Sequence, residues 1–291
     1  MESDLMTQSD SKTIKARSLN VLFISHNPER SSFKTRIGKY LDMMRRDNIS
    51  YRIEILPDNR HDRRGLFKLA GQFDCVFLHK KKLSVPDAYI LKRACKKLIY
   101  NFDDAVMYDE ANPSKRDWLR LLAFRRTVRI ADLVLVGSRY LAEHALKYNA
   151  NVEILPLGLE TPLYDVAVPA RTDGKIRMVW IGSESTLKYL QQIQSVIEKI
   201  GSCFSNVVLR IIGDTFFDIP NIPVEKLKWS AQNFGLCLAQ SDIGLAPLPD
   251  DRFTRGKCSF KVLEYSAAGL PVVASPVGTN SNISGKLLPA F

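Results

Sequence analysis

Short apolar runs alternate with longer amphipathic segments along most of this chain. The run LNVLFIS at residues 19–25 is too short for a helix and is typical of a buried parallel strand, whereas Ser32 to Arg46 has the pattern of a helix. The pattern predicts further strands at YRIEIL (51–56), FDCVFLH (73–79), KLIYNF, DLVLVG and NVEILP, and further helices at Pro86 to Lys97, Arg116 to Ile130 and Tyr140 to Tyr148. This alternation predicts an α/β layer architecture.

The alternation lapses in the segment PLGLETPLYDVAVPARTDG, and we interpret residues 157–174 as an interdomain linker. Beyond it the pattern restarts. It predicts strands at IRMVWIG, VVLRIIG, Val224 to Trp229, DIGLAPLP and PVVAS, and helices at Thr186 to Ile200, Ala231 to Gln240 and Lys261 to Ala268. We therefore predict a disordered tail (1–18) and two doubly wound, Rossmann-like domains, at residues 19–156 and 175–291.

Composition narrows the class of protein. The chain has 291 residues, of which 45% are hydrophobic and 25% charged, an ordinary globular composition. Its 5 cysteines are scattered, with neither a disulfide framework nor paired metal-ligand spacing, which favours a reducing compartment. Neither a signal peptide nor a run of about 18 apolar residues is found. We expect a cytoplasmic protein.

Positive charge is concentrated in one part of the chain. Residues 30–130 contain 24 Lys and Arg against 12 Asp and Glu, a net charge of +12, whereas the whole chain carries +11. The cations form the runs Lys80-Lys81-Lys82, Lys92-Arg93 with Lys96-Lys97, and Arg125-Arg126 with Arg129. Such runs attract an anionic membrane or a phosphorylated lipid, or are simply solvated helix faces. No nucleic-acid-binding signature accompanies them, so we expect no nucleic-acid partner.

Basic residues also cluster near two predicted helix starts. The stretch RGKCSFKVLEYSAAGLPVVASPVG places three cations before or within the first turn of a helix, where backbone N–H groups already favour an anion. The stretch WIGSESTLK is a strand-to-helix turn with a lysine about one turn inside the helix. Together they predict a diphosphate site formed by Gly182, Ser183, Lys188, Arg255, Lys257 and Lys261.

The segment DIGLAPLPDDRFTRGKCSFKVLEYSAAGLPVVASPVG resembles the nucleotide-sugar site of retaining GT-B glycosyltransferases of family 4, the group 1 glycosyl transferases. WIGSESTLKYL, IIGD, NFDDAVMYDE and RIADLVLVGSRYLAEHA are similar to other segments of the same enzymes, so the resemblance spans about residues 19–280. It implies two Rossmann-like domains facing a cleft. It also implies hexosyl transfer, with retention, from a nucleotide-diphosphate sugar to a glycan or lipid-linked acceptor, without metal or cofactor.

The resemblance carries over to particular residues. Glu264 stands where these enzymes have the second of two glutamates, which binds the donor ribose, but the position of the first is Gly256. The resemblance leaves the contacts to the donor sugar undefined. It also implies a further strand and helices after PVGTN, so the C-terminal domain is expected to be shortened, with weak donor binding and slow transfer.

The acceptor side is predicted in the first domain. His26 follows the first strand, and Asp103 and Asp104 follow KLIYNF, which places all three at the cleft edge of the sheet. His26 is a candidate to orient or deprotonate an acceptor hydroxyl and the aspartates to hold a sugar hydroxyl, although loop capping explains each equally well. Besides a transferase that acts at the membrane surface, a degenerate nucleotide-sugar or glycan-binding protein and a nucleotide-sugar epimerase fit the sequence.

Overall fold

The computed structural model describes residues 18–167 and 171–283, and its N-terminal half is built on a sheet of six parallel strands. The strand order is β2-β1-β3-β4-β5-β6. The strands are β1 (Leu19–Ser25), β2 (Ile49–Ile55), β3 (Cys75–His79), β4 (Leu98–Phe102), β5 (Leu133–Val136) and β6 (Val152–Ile154). Each of these strands was predicted from its apolar run.

Within the described part of this half, six α-helices accompany the sheet. They are α1 (Ser31–Arg36), α2 (Leu41–Arg46), α3 (Arg60–Leu69), α4 (Val85–Ala94), α5 (Trp118–Ile130) and α6 (Arg139–Ala145). The single helix predicted from Ser32 to Arg46 is wrong, because Ile37 leaves helical geometry and a 3-10 turn separates α1 from α2. Helix α3 was not predicted, since its charged sequence RHDRRGLFKL carries few apolar positions and an internal glycine.

The C-terminal half is built on a second parallel sheet, of five strands in the order β11-β10-β7-β8-β9. The strands are β7 (Ile176–Ile181), β8 (Val207–Gly213), β9 (Val224–Lys228), β10 (Ile243–Ala246) and β11 (Val272–Ala274). The helices are α7 (Glu184–Gln191), α8 (Gln194–Cys203), α9 (Phe234–Ala239), α10 (Phe260–Ala267) and α11 (Asn280–Ile283). All five strands were predicted, but the helix predicted from Thr186 to Ile200 is divided into α7 and α8.

The order of the strands shows where each half can hold a ligand. In the first sheet the chain reverses its direction of winding between β1 and β3, and in the second between β7 and β10. Ligands of doubly wound sheets bind in the crevice outside the carboxyl ends of the strands at such switch points. The residues that follow β1, β3, β7 and β10 are therefore the first to inspect.

Some predictions concern residues that the structure does not describe. The predicted tail, apart from Ser18, lies outside the described residues, as do the chain after residue 283 and part of the predicted linker. Within the two described ranges, no helix is both long enough and apolar enough to cross a bilayer.

Candidate functional site

At the switch point of the second sheet, Gly182 lies directly after β7 and against Lys261 of α10. A Cβ atom added to Gly182 would lie 2.5 Å from Lys261 Nζ and 2.7 Å from the Trp180 ring, so a larger residue does not fit without displacing them. The Lys261 ammonium lies 4.8 Å from the centre of the Trp180 ring, within cation–π distance. The structure thus brings together two predicted diphosphate-site residues and adds a tryptophan.

Glu264 lies one turn after Lys261 on α10 and is buried, with 8% of its surface exposed. The Tyr164 hydroxyl donates a hydrogen bond to Glu264 Oε1 over 3.3 Å. Burial raises the pKa of Glu264, against the opposing effects of Lys261 and Tyr164, and burial lowers the pKa of Lys261 against the effect of Glu264. A buried carboxylate with one hydroxyl donor retains acceptor sites for a ligand, so Glu264 is not merely a solvated helix residue.

Ser259, which precedes α10, is a further candidate that the sequence did not reveal. Its φ of 54° places it in the left-handed region, and its buried Oγ has no hydrogen-bond partner among the described residues. Such backbone conformations cost non-glycine residues about 1 kcal/mol or more and cluster at ligand sites. This unpartnered hydroxyl at the start of α10 is a candidate donor to an anion.

Three other predicted diphosphate ligands are cations that have carboxylate partners within the protein. Arg255 forms a bidentate pair with Asp250, at 2.7 and 3.0 Å. Lys257 Nζ lies 3.1 Å from Asp104, and Lys188 Nζ lies 3.3 Å from Glu110. The last two pairs join the C-terminal half to the N-terminal half. Ser183, the remaining predicted residue, is exposed and caps α7 without a side-chain hydrogen bond to its backbone.

The predicted catalytic aspartates form an ion-pair cluster with Lys80, which follows β3. Lys80 Nζ lies 2.6 Å from both Asp103 Oδ1 and Asp104 Oδ2. Burial alone would lower the pKa of Lys80, but the two carboxylates hold it above its usual value. Burial would likewise raise the pKa of Asp104, but Lys80 and Lys257 hold it well below the usual range. A carboxylate stabilised in this way is a poor proton acceptor.

His26, the predicted acceptor-side base, is exposed in the loop after β1. No hydrogen bond from the described residues fixes its ring. The geometry neither orients it toward a partner nor gives it a role, so the assignment of His26 stays a prediction.

The chain after β10 contacts the N-terminal half. Cys258 Sγ donates to the Asp103 carbonyl over 3.1 Å, and the Tyr140 hydroxyl donates to the Arg252 carbonyl over 3.0 Å. Cys258 and Phe253 pack into the hydrophobic core of the N-terminal half. The two halves are therefore in direct contact beside the candidate site.

Gly256 is part of the same contact. A Cβ atom added there would lie 2.8 Å from Ala105 Cβ and 2.9 Å from its backbone nitrogen, and 3.0 Å from a Leu141 methyl group. The position where the resemblance implies a first glutamate therefore has no room for a side chain while the halves are in contact. The packing of Gly256 against Ala105 and Leu141 is thus a structural reason for the absence of a glutamate at this position.

No group of three or more His, Cys, Asp or Glu side chains converges as a set of metal ligands within residues 18–167 and 171–283. Metal independence of the chemistry stays a prediction.

This chain is similar to known proteins in structure. No protein-family model and no curated protein matches the sequence. Anabaena HepE, solved in complex with UDP, is 14% identical over 91% of this chain and 83% of its own, with a TM-score of 0.63. A glycosyltransferase from Rickettsia africae is 12% identical over 90% of this chain and 80% of its own, with a TM-score of 0.58.

A third similar structure is that of an epimerase. The UDP-GlcNAc 2-epimerase from Neisseria meningitidis, bound to UDP-GlcNAc, is 12% identical over 88% of this chain and 81% of its own, with a TM-score of 0.51. At such low identity these likenesses show the fold alone. The chain is an α/β protein with the GT-B fold.

Proposed function

We propose that the protein binds a nucleotide-diphosphate sugar at the carboxyl ends of β7 and β10 and transfers the sugar to an acceptor held by the N-terminal half. The observation that carries the proposal is the convergence of Gly182, Lys261 and Glu264 at the switch point of the second sheet. It is supported by HepE, whose structure contains UDP, and by the epimerase, whose structure contains UDP-GlcNAc.

Each residue has a role in this chemistry. Glu264 accepts hydrogen bonds from the ribose hydroxyls. Negative charge develops on the departing diphosphate, and donors placed at such a charge contribute about 3 kcal/mol each. Lys261, Ser259 and the backbone N–H groups at the start of α7 are the donors for it. Retention of configuration and a glycan or lipid-linked acceptor follow from the family 4 resemblance, and we name no enzymatic nucleophile.

A second candidate function is a binding protein that has lost catalysis. The packing of Gly256 against Ala105 favours it, because that contact occupies the position of the first glutamate. Incubating the purified protein with UDP-sugars separates the candidates. Transfer to an added acceptor supports a transferase, an altered free nucleotide sugar indicates an epimerase, and binding without consumption indicates a non-catalytic protein.

Replacing Glu264 by alanine tests the donor site. We expect the affinity for UDP to fall by about 1.5–3 kcal/mol, because hydrogen bonds between a charged group and the ribose hydroxyls are lost. Isothermal titration of UDP into the folded variant measures the change. The control is Glu143→Ala, an exposed glutamate on α6, which should bind UDP like the wild type. Equal UDP affinity in the wild type and Glu264→Ala would remove the ribose assignment.

We also propose that the N-terminal half docks on an anionic membrane, which would place it beside a lipid-linked acceptor. The structure shows that one cation of the basic runs is not part of a solvated face, because Lys80 forms ion pairs with Asp103 and Asp104. It adds an apolar element at the start of α5. Trp118 and Leu119 there are 62% and 81% exposed, and Leu122 is also exposed. Exposed aromatic and aliphatic side chains beside a basic helix suit a membrane interface.

Vesicle sedimentation tests this docking. We expect the protein to sediment with anionic vesicles at low salt and to be released by salt, since charge attraction is screened. Trp118→Ser combined with Leu119→Ser should weaken binding several-fold. Val196→Ser, an exposed apolar residue on α8, is the matched control. If equal amounts of protein sediment with anionic and with neutral vesicles, the basic runs do not bind membranes and are only solvated helix faces.

A further inference from the structure

Arg36 on α1 is a buried cation to which no described residue is paired. Only 6% of its surface is exposed, and its Nε and Nη2 atoms have no hydrogen-bond partner in the part of the chain that the structure describes. No carboxylate within residues 18–167 and 171–283 forms an ion pair with it. A buried charge is costly unless it is paired, so a guanidinium that no described residue pairs calls for an anionic partner.

Arg177 and Arg210, which are also buried, show how the fold pairs such groups when their role is structural. Arg177 and Arg210 are 8% and 6% exposed, and both bind Glu225, at 3.1 and 2.8 Å. Arg210 also donates to the carbonyl of Cys237. Arg36 is as deeply buried as either and has none of these contacts. Packing alone does not account for it.

Arg36 lies beside the switch point of the first sheet. One turn earlier on the same face of α1, Phe33 contacts the ring of His79 edge-on, with 5.8 Å between ring centres. His79 is the last residue of β3, and α1 follows β1. The crevice between these two strands is the ligand position expected for a doubly wound sheet.

His79 presents a second unpartnered atom there. The amide nitrogen of Asn101 donates to the Leu135 carbonyl, so Asn101 Oδ1 is the atom that faces His79 Nδ1, 3.0 Å away, and it accepts a hydrogen bond from the Nδ1–H group. That fixes the tautomer and leaves Nε2 with a buried lone pair that has no partner within residues 18–167 and 171–283. Burial lowers the pKa of His79 to about 4, so the ring is neutral near pH 7. Nε2 can therefore accept a hydrogen bond from a hydroxyl.

Lys39 adds a second cation one turn after Arg36. Its ammonium donates to the Gly158 carbonyl and has no carboxylate at ion-pair distance among the described residues. The Glu160 carboxylate acts on Lys39 from a distance but forms no ion pair with it. Two cations without an ion-pair partner among the described residues favour a dianion such as a phosphate monoester over a carboxylate.

We infer that this crevice binds a phosphorylated hydroxyl compound, with the phosphate on Arg36 and a neighbouring hydroxyl on His79 Nε2. The inference names the acceptor class of the proposed transferase and to that extent rests on it. A soluble sugar or polyol phosphate and the phosphate headgroup of a lipid share this chemistry.

Glycerol 3-phosphate is the test compound, because it carries a phosphate monoester next to hydroxyls. We expect it to bind the wild-type protein in isothermal titration at constant ionic strength, with saturating UDP to occupy the donor site. Arg36→Met should bind it at least about tenfold more weakly, and Arg36→Lys by an intermediate factor. Arg30→Met, an exposed arginine next to α1, is the matched control and should not differ from the wild type.

Thermal unfolding provides an independent readout. Arg36→Met should be at least as stable as the wild type, because an unpaired buried charge is removed. A markedly less stable Arg36→Met, equal affinities for glycerol 3-phosphate in Arg36→Met and wild type, or no binding by the wild type would each overturn the inference. Failure of UDP to bind while Arg36-dependent phosphate binding persists would instead reject the proposed function and leave this site standing.

Two further arms identify the source of the phosphate. Vesicles containing phosphatidic acid present a phosphate monoester, and vesicles of equal charge containing phosphatidylglycerol present only a diester. Arg36-dependent preference for phosphatidic acid assigns a lipid acceptor. Arg36-dependent binding of glycerol 3-phosphate without that preference assigns a soluble one.

Discussion

Replacing Asp104 by alanine is expected to lower the free energy of unfolding by about 3 kcal/mol, because it removes one partner from a buried ion-pair cluster. Lys257 would keep no carboxylate at ion-pair distance among the described residues, and Lys80 would keep only Asp103. All three side chains are at most 25% exposed, so water compensates little. Urea unfolding followed by tryptophan fluorescence measures the loss.

The control for this prediction is Asp42→Ala on α2. Asp42 pairs with Arg45 in full solvent, and such pairs contribute at most about 1 kcal/mol. The dependence on pH gives a second check. Since the pKa of Asp104 is held below the usual 3.8, its contribution is present above that pH and is lost as the pH falls below it. Equal losses in the two variants at pH 7 would show that the cluster does not stabilise the contact between the halves.

The strands of this protein could be predicted because their signal is local. All eleven strands that the structure describes were predicted, most of them as short apolar runs, and β8, which is buried along its whole length, shows why. The exception is β9, whose sequence VEKLK is largely charged. The presence and the ends of the helices depend more on contacts with residues that are distant in the sequence. Ile37 breaks the predicted first helix, and α3 is present although its apolar face is narrow, since Leu66 and Phe67 pack into a core built by distant residues.

The candidate site could be predicted only in part. Gly182 and Lys261 were identified because glycine at a strand end and cations at a helix start leave a sequence pattern, whereas Glu264 was identified only through the family resemblance. The sequence pattern does not show which charged residues form ion pairs with one another. Lys257 and Asp104 are 153 positions apart, and nothing in either neighbourhood indicates that they meet.

Arg36 and His79 were missed for the opposite reason. An arginine on a short helix and a histidine at a strand end are ordinary in sequence. Their interest arises from what surrounds them in the folded chain: burial without partners for Arg36, and a tautomer fixed by Asn101 for His79.

Introducing the glutamate that the resemblance implies at Gly256 is expected to damage the protein rather than restore a function. The new side chain would overlap Ala105 and Leu141, and it would place a carboxylate inside the contact between the two halves. Overpacking costs about 1–3 kcal/mol and burial of an unpaired charge costs more, so we expect Gly256→Glu to lose at least about 3 kcal/mol of unfolding free energy. Gly256→Ala should lose less, by overpacking alone.

Gly65→Glu is the matched control, because Gly65 lies in α3 with no atom within 4 Å of the position of an added Cβ. That substitution should stabilise the protein by about 0.5–1 kcal/mol, since glycine is a poor helix former. Urea unfolding of all three variants, with UDP titration of those that fold, makes the comparison. If Gly256→Glu keeps wild-type stability and gains transfer activity, the halves separate more readily than their packing shows, and the site is that of an active transferase rather than of a degenerate one.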